Sequence, residues 1–168
     1  MQHARIKNSQ LTKATTKMNI QDEFKEIDLI FPIINGKVSM AINRKLYRDF
    51  RKEGLEITPE QWTVLCYLWK EDGVTQQRLC DATFKDKPSM TRLIDNLVKQ
   101  EFVIRQTPPN DRRANLIFLT DKGKSIEQKA NNALAQTMEF ALDGLNKKDI
   151  EDVRRLLKHV FDNIKDNL

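Results

Sequence analysis

Ser89, Thr91 and Arg92 stand together at the start of an amphipathic stretch, and a second polar group, Asp111, Arg112 and Arg113, follows in a proline-led loop. An arginine guanidinium can donate two parallel hydrogen bonds to the O6 and N7 edge of guanine, and serine or threonine hydroxyls pair with a base or a phosphate. Arginines carried on a loop suit the minor groove, where narrowed A·T-rich segments attract them. Asp111 looks out of place beside phosphates, yet it can pair with a neighbouring arginine and set its direction. A polar helix face or an arginine pair is, in isolation, most often plain surface charge. The elements around these residues therefore decide what they can do.

Those elements read clearly. Thr58-Pro59-Glu60-Gln61 places an N-cap threonine, a first-turn proline and a reciprocal glutamine ahead of Trp62, Leu65, Leu68 and Trp69, and Asp72-Gly73 ends that helix. Thr75 caps a shorter helix whose inner face includes Leu79 and Cys80. After a break at residues 83–85, Asp86-Lys87-Pro88 starts another helix, with Met90, Leu93, Ile94, Leu97 and Val98 at helical spacing. Lys87, Ser89, Thr91, Arg92, Asp95 and Asn96 are left facing outward. Two short helices joined by a tight break make a helix-turn-helix. Two β-prone runs follow, Phe102-Val103-Ile104 and Leu116-Ile117-Phe118-Leu119. The loop between them, residues 107–114, exceeds the two to five residues usual in hairpins. It has the make-up of a DNA-probing wing on a Pro108-Pro109 stem.

The expected fold is therefore mostly α with a small β-hairpin wing, a winged helix-turn-helix over residues 58–120. Residues 1–22 read as a flexible arm and residues 23–168 as one domain. Within it, 23–53 and 121–168 supply further helices. Asp22 to Ile34 has helical spacing interrupted by Pro32, and a stronger amphipathic segment runs from Gly36 to Lys52, closed by Gly54. Thr120 caps a long segment to about Leu142. Asn146 caps a last helix in which Ile150, Val153, Leu156, Leu157, Val160, Phe161 and Ile164 form a broad apolar stripe. The small winged core cannot cover such stripes alone, so a second copy of the chain is the expected cover, and a homodimer follows.

Charge points the same way. Residues 85–124 hold nine Lys or Arg against five Asp or Glu, so +4 of the chain's net +5 is gathered around the proposed reading elements. Such a surplus favours salt-sensitive binding to a polyanion. No apolar run approaches the roughly 20 residues of a membrane span, and a cytoplasmic location is the default. Cys66 and Cys80 fall inside helices and read as two small buried thiols. His3 and His159 are isolated, so no metal site or cofactor is expected. Gly123-Lys124-Ser125 mimics the end of a P-loop, but Phe118 stands where that motif needs glycine. No Gly-x-Ser-x-Gly, metal-ligand cluster or His-centred catalytic group appears, and the chain does not read as an enzyme. The competing reading keeps the fold and gives its basic face to a protein or RNA partner.

Three runs carry a family resemblance. They are Thr58-Pro59-Glu60-Gln61-Trp62-Thr63-Val64-Leu65, then Lys87-Pro88-Ser89-Met90-Thr91-Arg92-Leu93-Ile94-Asp95, then Asp111-Arg112-Arg113 with Leu119-Thr120 and Gly123. Together they resemble successive signatures of the multiple-antibiotic-resistance regulator (MarR) family over roughly residues 30 to 165. The resemblance implies a homodimer joined through its N- and C-terminal helices. It implies a transcriptional repressor of palindromic operators in double-stranded DNA, released by a small molecule or an oxidant. By position it gives Ser89, Thr91 and Arg92 to the major groove, Arg113 to the minor groove and Asp111 to orienting that arginine. Gln76 becomes a candidate phosphate contact. The usual effector pocket lies between the dimer helices and the winged lobe, where Phe31, Met40, Tyr47, Trp62 and Trp69 would suit an apolar or aromatic molecule. Peroxide-sensing relatives carry a cysteine near the start of the first dimer helix; none precedes Cys66 here.

Overall fold

The computed structural model describes residues 27–107 and 115–165, the side chains of 27–31 excepted. A boundary between residues 38 and 39 divides the chain into two compact units, and all packing reported below lies in the second. Helix α1 (Ile27–Lys52) is continuous, with Pro32 and Gly36 inside it. The expected interruption at Pro32 and restart after Gly36 do not occur. Proline removes one i→i−4 bond, and the helix continues past that single loss. Gly36 adds only about 0.5–1 kcal/mol relative to alanine. At its far end α1 stops as expected, on Gly54 in left-handed backbone (φ +73°), with Leu55 N–H donating to the Phe50 carbonyl at 2.8 Å.

Helix α2 (Pro59–Lys70) begins with the full capping box. Gln61 N–H donates to Thr58 Oγ1 at 3.1 Å and Thr58 N–H to Gln61 Oε1 at 2.8 Å. Two residues, Val74–Thr75, then form strand β1, which sequence alone leaves as a helix cap because two residues show no alternation. Thr75 serves both purposes, since its hydroxyl also caps helix α3 (Gln76–Thr83). Helix α4 (Lys87–Lys99) follows, then strands β2 (Val103–Gln106) and β3 (Leu116–Leu119). The sheet is antiparallel in the order β1-β3-β2, with Val74 opposite Ile117 and Ile104 opposite Phe118. The wing hairpin thus gains a third, short strand.

Beyond the sheet, the expected single helix from Thr120 is two: α5 (Asp121–Ser125) and α6 (Glu127–Ala141), divided at the buried Ile126. Gly123 in α5 lies against Phe102. A β-carbon there would sit 2.1 Å from the Phe102 carbonyl oxygen, so this approach admits only glycine. Helix α7 (Lys147–Lys165) opens with a reciprocal cap, Asp149 N–H to Asn146 Oδ1 at 3.1 Å and Asn146 N–H to Asp149 Oδ2 at 3.0 Å.

One apolar core joins these elements. Leu46 and Phe50 from α1, Val64, Leu65 and Leu68 from α2, Met90, Ile94 and Leu97 from α4, and Ile117 from β3 are essentially inaccessible to solvent. Each such side chain stabilises the fold by about 1.5–3 kcal/mol. Asp49 of α1 is also buried, and its carboxylate accepts from Lys45, Lys52 and the Thr137 hydroxyl of α6. The stripe of α7 behaves differently. Ile150, Val153, Leu156, Leu157, Phe161 and Ile164 are all exposed, Val153 and Leu156 by half.

Candidate nucleic-acid interface

Helix α3 ends on Phe84, a non-glycine residue held in left-handed backbone (φ +55°), which turns the chain sharply toward α4. Asp86 then caps α4, its Oδ1 accepting the Ser89 N–H at 2.7 Å and its Oδ2 the Ser89 hydroxyl at 2.9 Å. The backbone hydrogen bond from Ser89, reinforced by its hydroxyl, holds the Asp86 carboxyl below the usual carboxylate range. Met90, Ile94 and Leu97 fix the inner face of α4 in the core, with Leu93 and Val98 partly buried beside them. Helical geometry then turns Lys87 and Arg92 outward. Both are exposed, and neither takes part in an ion pair among the described residues.

Thr91 is tied inward at the junction of α3 and α4. Its hydroxyl donates to the Lys87 carbonyl at 2.8 Å and accepts from Gln76 Nε2 at 2.7 Å. The same Gln76 nitrogen lies 3.5 Å from the Lys87 carbonyl. The Gln76 amide thus faces this junction from the first residue of α3. It is a strut between the two helices. Asn96 is exposed farther along α4, where it borders a cleft of about 540 Å³ with Tyr47, Arg51, Lys99 and Gln100, away from the Ser89–Arg92 turn.

A feature with no local sequence signal links the wing to α4: Arg105 of β2 pairs with Asp95 at 2.6 Å. The wing's base is closed by the Thr107 hydroxyl donating to Asn115 Oδ1 at 3.1 Å. Asp111, Arg112 and Arg113 lie outside the described residues.

Residues 55–114 match the family model described as MarR family. A mutant MarR from E. coli complexed with operator DNA is 28% identical, with a TM-score of 0.73 over 83% of this chain and 98% of that one. Wild-type apo MarR from E. coli is 27% identical, at TM-score 0.64 over 77% and 96%. A MarR transcriptional regulator from Methanosarcina mazei Go1, 24% identical, shares the fold at TM-score 0.72 over 83% and 92%. Over its winged helix-turn-helix the chain is thus similar to proteins of the MarR family.

The residues expected to line an effector pocket are placed as follows. Met40 is exposed, and Tyr47 borders the cleft beside α4. Trp69 is packed on the core with its Nε1 donating to the Gly123 carbonyl at 3.0 Å. Trp62 lies tilted against Phe50, ring centroids 6.2 Å apart, and its buried Nε1 has no hydrogen-bond partner among the described residues. The Phe31 side chain lies outside the described residues. Cys80 is buried and Cys66 half-buried. Burial, with Glu127 nearby, pushes Cys66 up to about 11, and burial raises Cys80 as well. Among the described residues no cluster of metal-ligating side chains occurs, and no helix is long and apolar enough to cross a membrane.

Proposed function

We propose that this chain is a MarR-family, sequence-specific regulator that binds double-stranded DNA in the cytoplasm as a homodimer. It represses from a palindromic operator until a small apolar or aromatic effector releases it. The observation that carries the reading is the face of α4. Its inner side is locked in the core while Ser89, Lys87 and Arg92 sit in the first turns, the part of such a helix that reaches base edges. That a similar E. coli protein is found complexed with operator DNA supports a DNA-binding role. Arg113, oriented by Asp111 and flanked by Arg112, is assigned to the minor groove. The exposed apolar stripe of α7 supports the dimer, with residues 23–53 and 121–168 as the joining helices. A contiguous apolar face of this kind marks an interaction surface.

Selection of bound fragments from random duplexes tests the reading. A palindrome with half-sites about one helical turn apart is expected. Recovery without sequence preference, together with salt-resistant capture of a protein, would replace it with a winged-helix interaction module.

A further inference from the structure

A serine hydroxyl ordinarily reads a base or phosphate in either sense, because it can donate or accept. In this chain that freedom is removed. The Ser89 hydroxyl hydrogen is directed at Asp86 Oδ2 (2.9 Å), while Asp86 Oδ1 accepts the Ser89 backbone N–H (2.7 Å). An ionised carboxylate accepts only, so this pairing leaves Ser89 nothing but lone pairs to present outward. Thr91 is fixed the same way, its hydrogen taken by the Lys87 carbonyl. Arg92, by contrast, offers only donors.

We infer that Asp86 sets the hydrogen-bond polarity of Ser89, making Ser89 a reader of base-edge donors, adenine N6 or cytosine N4. Asp86 is a positioning residue that acts through Ser89, and the inference rests on the DNA-binding reading above. The α4 turn then presents a polarity code: an acceptor at Ser89 beside a donor fork at Arg92. Guanine and thymine, which show acceptors at the corresponding major-groove positions, are disfavoured opposite Ser89.

Asp86→Asn separates this role from simple capping. Asparagine keeps an oxygen for the Ser89 N–H, and its amide nitrogen donates to Ser89 Oγ, which frees the hydroxyl hydrogen to point outward. Random-duplex selection with the full-length wild type, Asp86→Asn and Ser89→Ala provides the test, with thermal melting run alongside. The wild type is expected to prefer adenine or cytosine at one position in each half-site, by about threefold to tenfold, the range of a single hydrogen bond. Ser89→Ala should flatten that position alone. Asp86→Asn should turn it toward guanine or thymine and leave the remaining positions intact. An Asp86→Asn profile identical in sequence to the wild type, merely weaker throughout, would overturn the inference and reduce Asp86 to a helix cap. A preference at that position surviving in Ser89→Ala would also overturn it. Failure of the wild type to select any sequence would instead overturn the DNA-binding reading, and this inference with it.

Discussion

The Gln76 side chain donates to Thr91 Oγ1 across 2.7 Å, joining the first residue of α3 to the second turn of α4. This bond fixes how α4 lies on the helix before it. Gln76→Ala should lower stability by only about 0.5–1.5 kcal/mol, the net worth of one such bond. Binding to the selected palindrome should nevertheless weaken, because Thr91 and Arg92 lose their fixed position. Denaturant unfolding and duplex titration, run on the same preparation, separate the two effects. Unchanged affinity would mean that the strut plays no part in recognition.

Asp49 makes a prediction about pH. Burial raises its carboxyl pKa, but hydrogen bonds from Lys45, Lys52 and Thr137 outweigh that and hold it at about 2. A carboxyl depressed by folding stabilises the protein fully above its unfolded value near 3.8, and this contribution disappears as pH falls through about 2. Asp49→Ala should cost about 1–3 kcal/mol near neutral pH, chiefly by removing the ionised carboxylate that Lys45, Lys52 and Thr137 hydrogen-bond. The gap between wild type and variant should narrow as acid is added from pH 4 downward. A gap that stays constant to pH 2 would contradict the account.

Much of this arrangement is legible in the chain itself. The caps at Thr58, Asp86 and Thr120 are local patterns, and each forms as written. The inner face of α4 follows from spacing alone. What escapes is non-local. Nothing local singles out Asp49, since its buried partner lies on α6 at Thr137. Asp95 reads as another outward polar residue until Arg105 folds across from β2. Strand β1 is too short to show a period, and Pro32 signals a break that the helix tolerates.

Gly123 tests the close approach of α5 to the hairpin. A methyl group there meets the Phe102 carbonyl oxygen at 2.1 Å, and this oxygen already accepts from Thr120 N–H at 3.1 Å. Gly123→Ala should destabilise by about 1–3 kcal/mol, the usual cost of forcing atoms into a packed site. Thermal melting would show it. An unchanged melting temperature would mean that the two segments do not meet so closely.

The thiols should be quiet. With Cys66 pushed up to about 11 and Cys80 also raised, almost no thiolate exists at neutral pH. Ellman's reagent should label neither cysteine until the protein is unfolded, and peroxide should leave duplex binding unchanged. Rapid labelling of native protein, with loss of binding, would make oxidation a release signal.

The dimer is open to a direct disruption. Leu157→Glu places a charge in the exposed stripe of α7, where a partner's apolar face is expected to lie. Sedimentation should show the wild type as a dimer and the variant as a monomer. A monomeric wild type at micromolar concentration would remove the reason for a palindromic site.

The central claim, that the α4 turn and the wing read a DNA sequence, meets its sharpest test in duplex titrations of Arg92→Ala and Arg113→Ala at one fixed salt concentration. On the selected palindrome each variant should bind more weakly by about 1–3 kcal/mol, the range of a specific arginine contact, while still sedimenting as a dimer. On a scrambled duplex the loss should be smaller. Wild-type affinity for the palindrome in both variants would contradict the assignment of these residues to DNA.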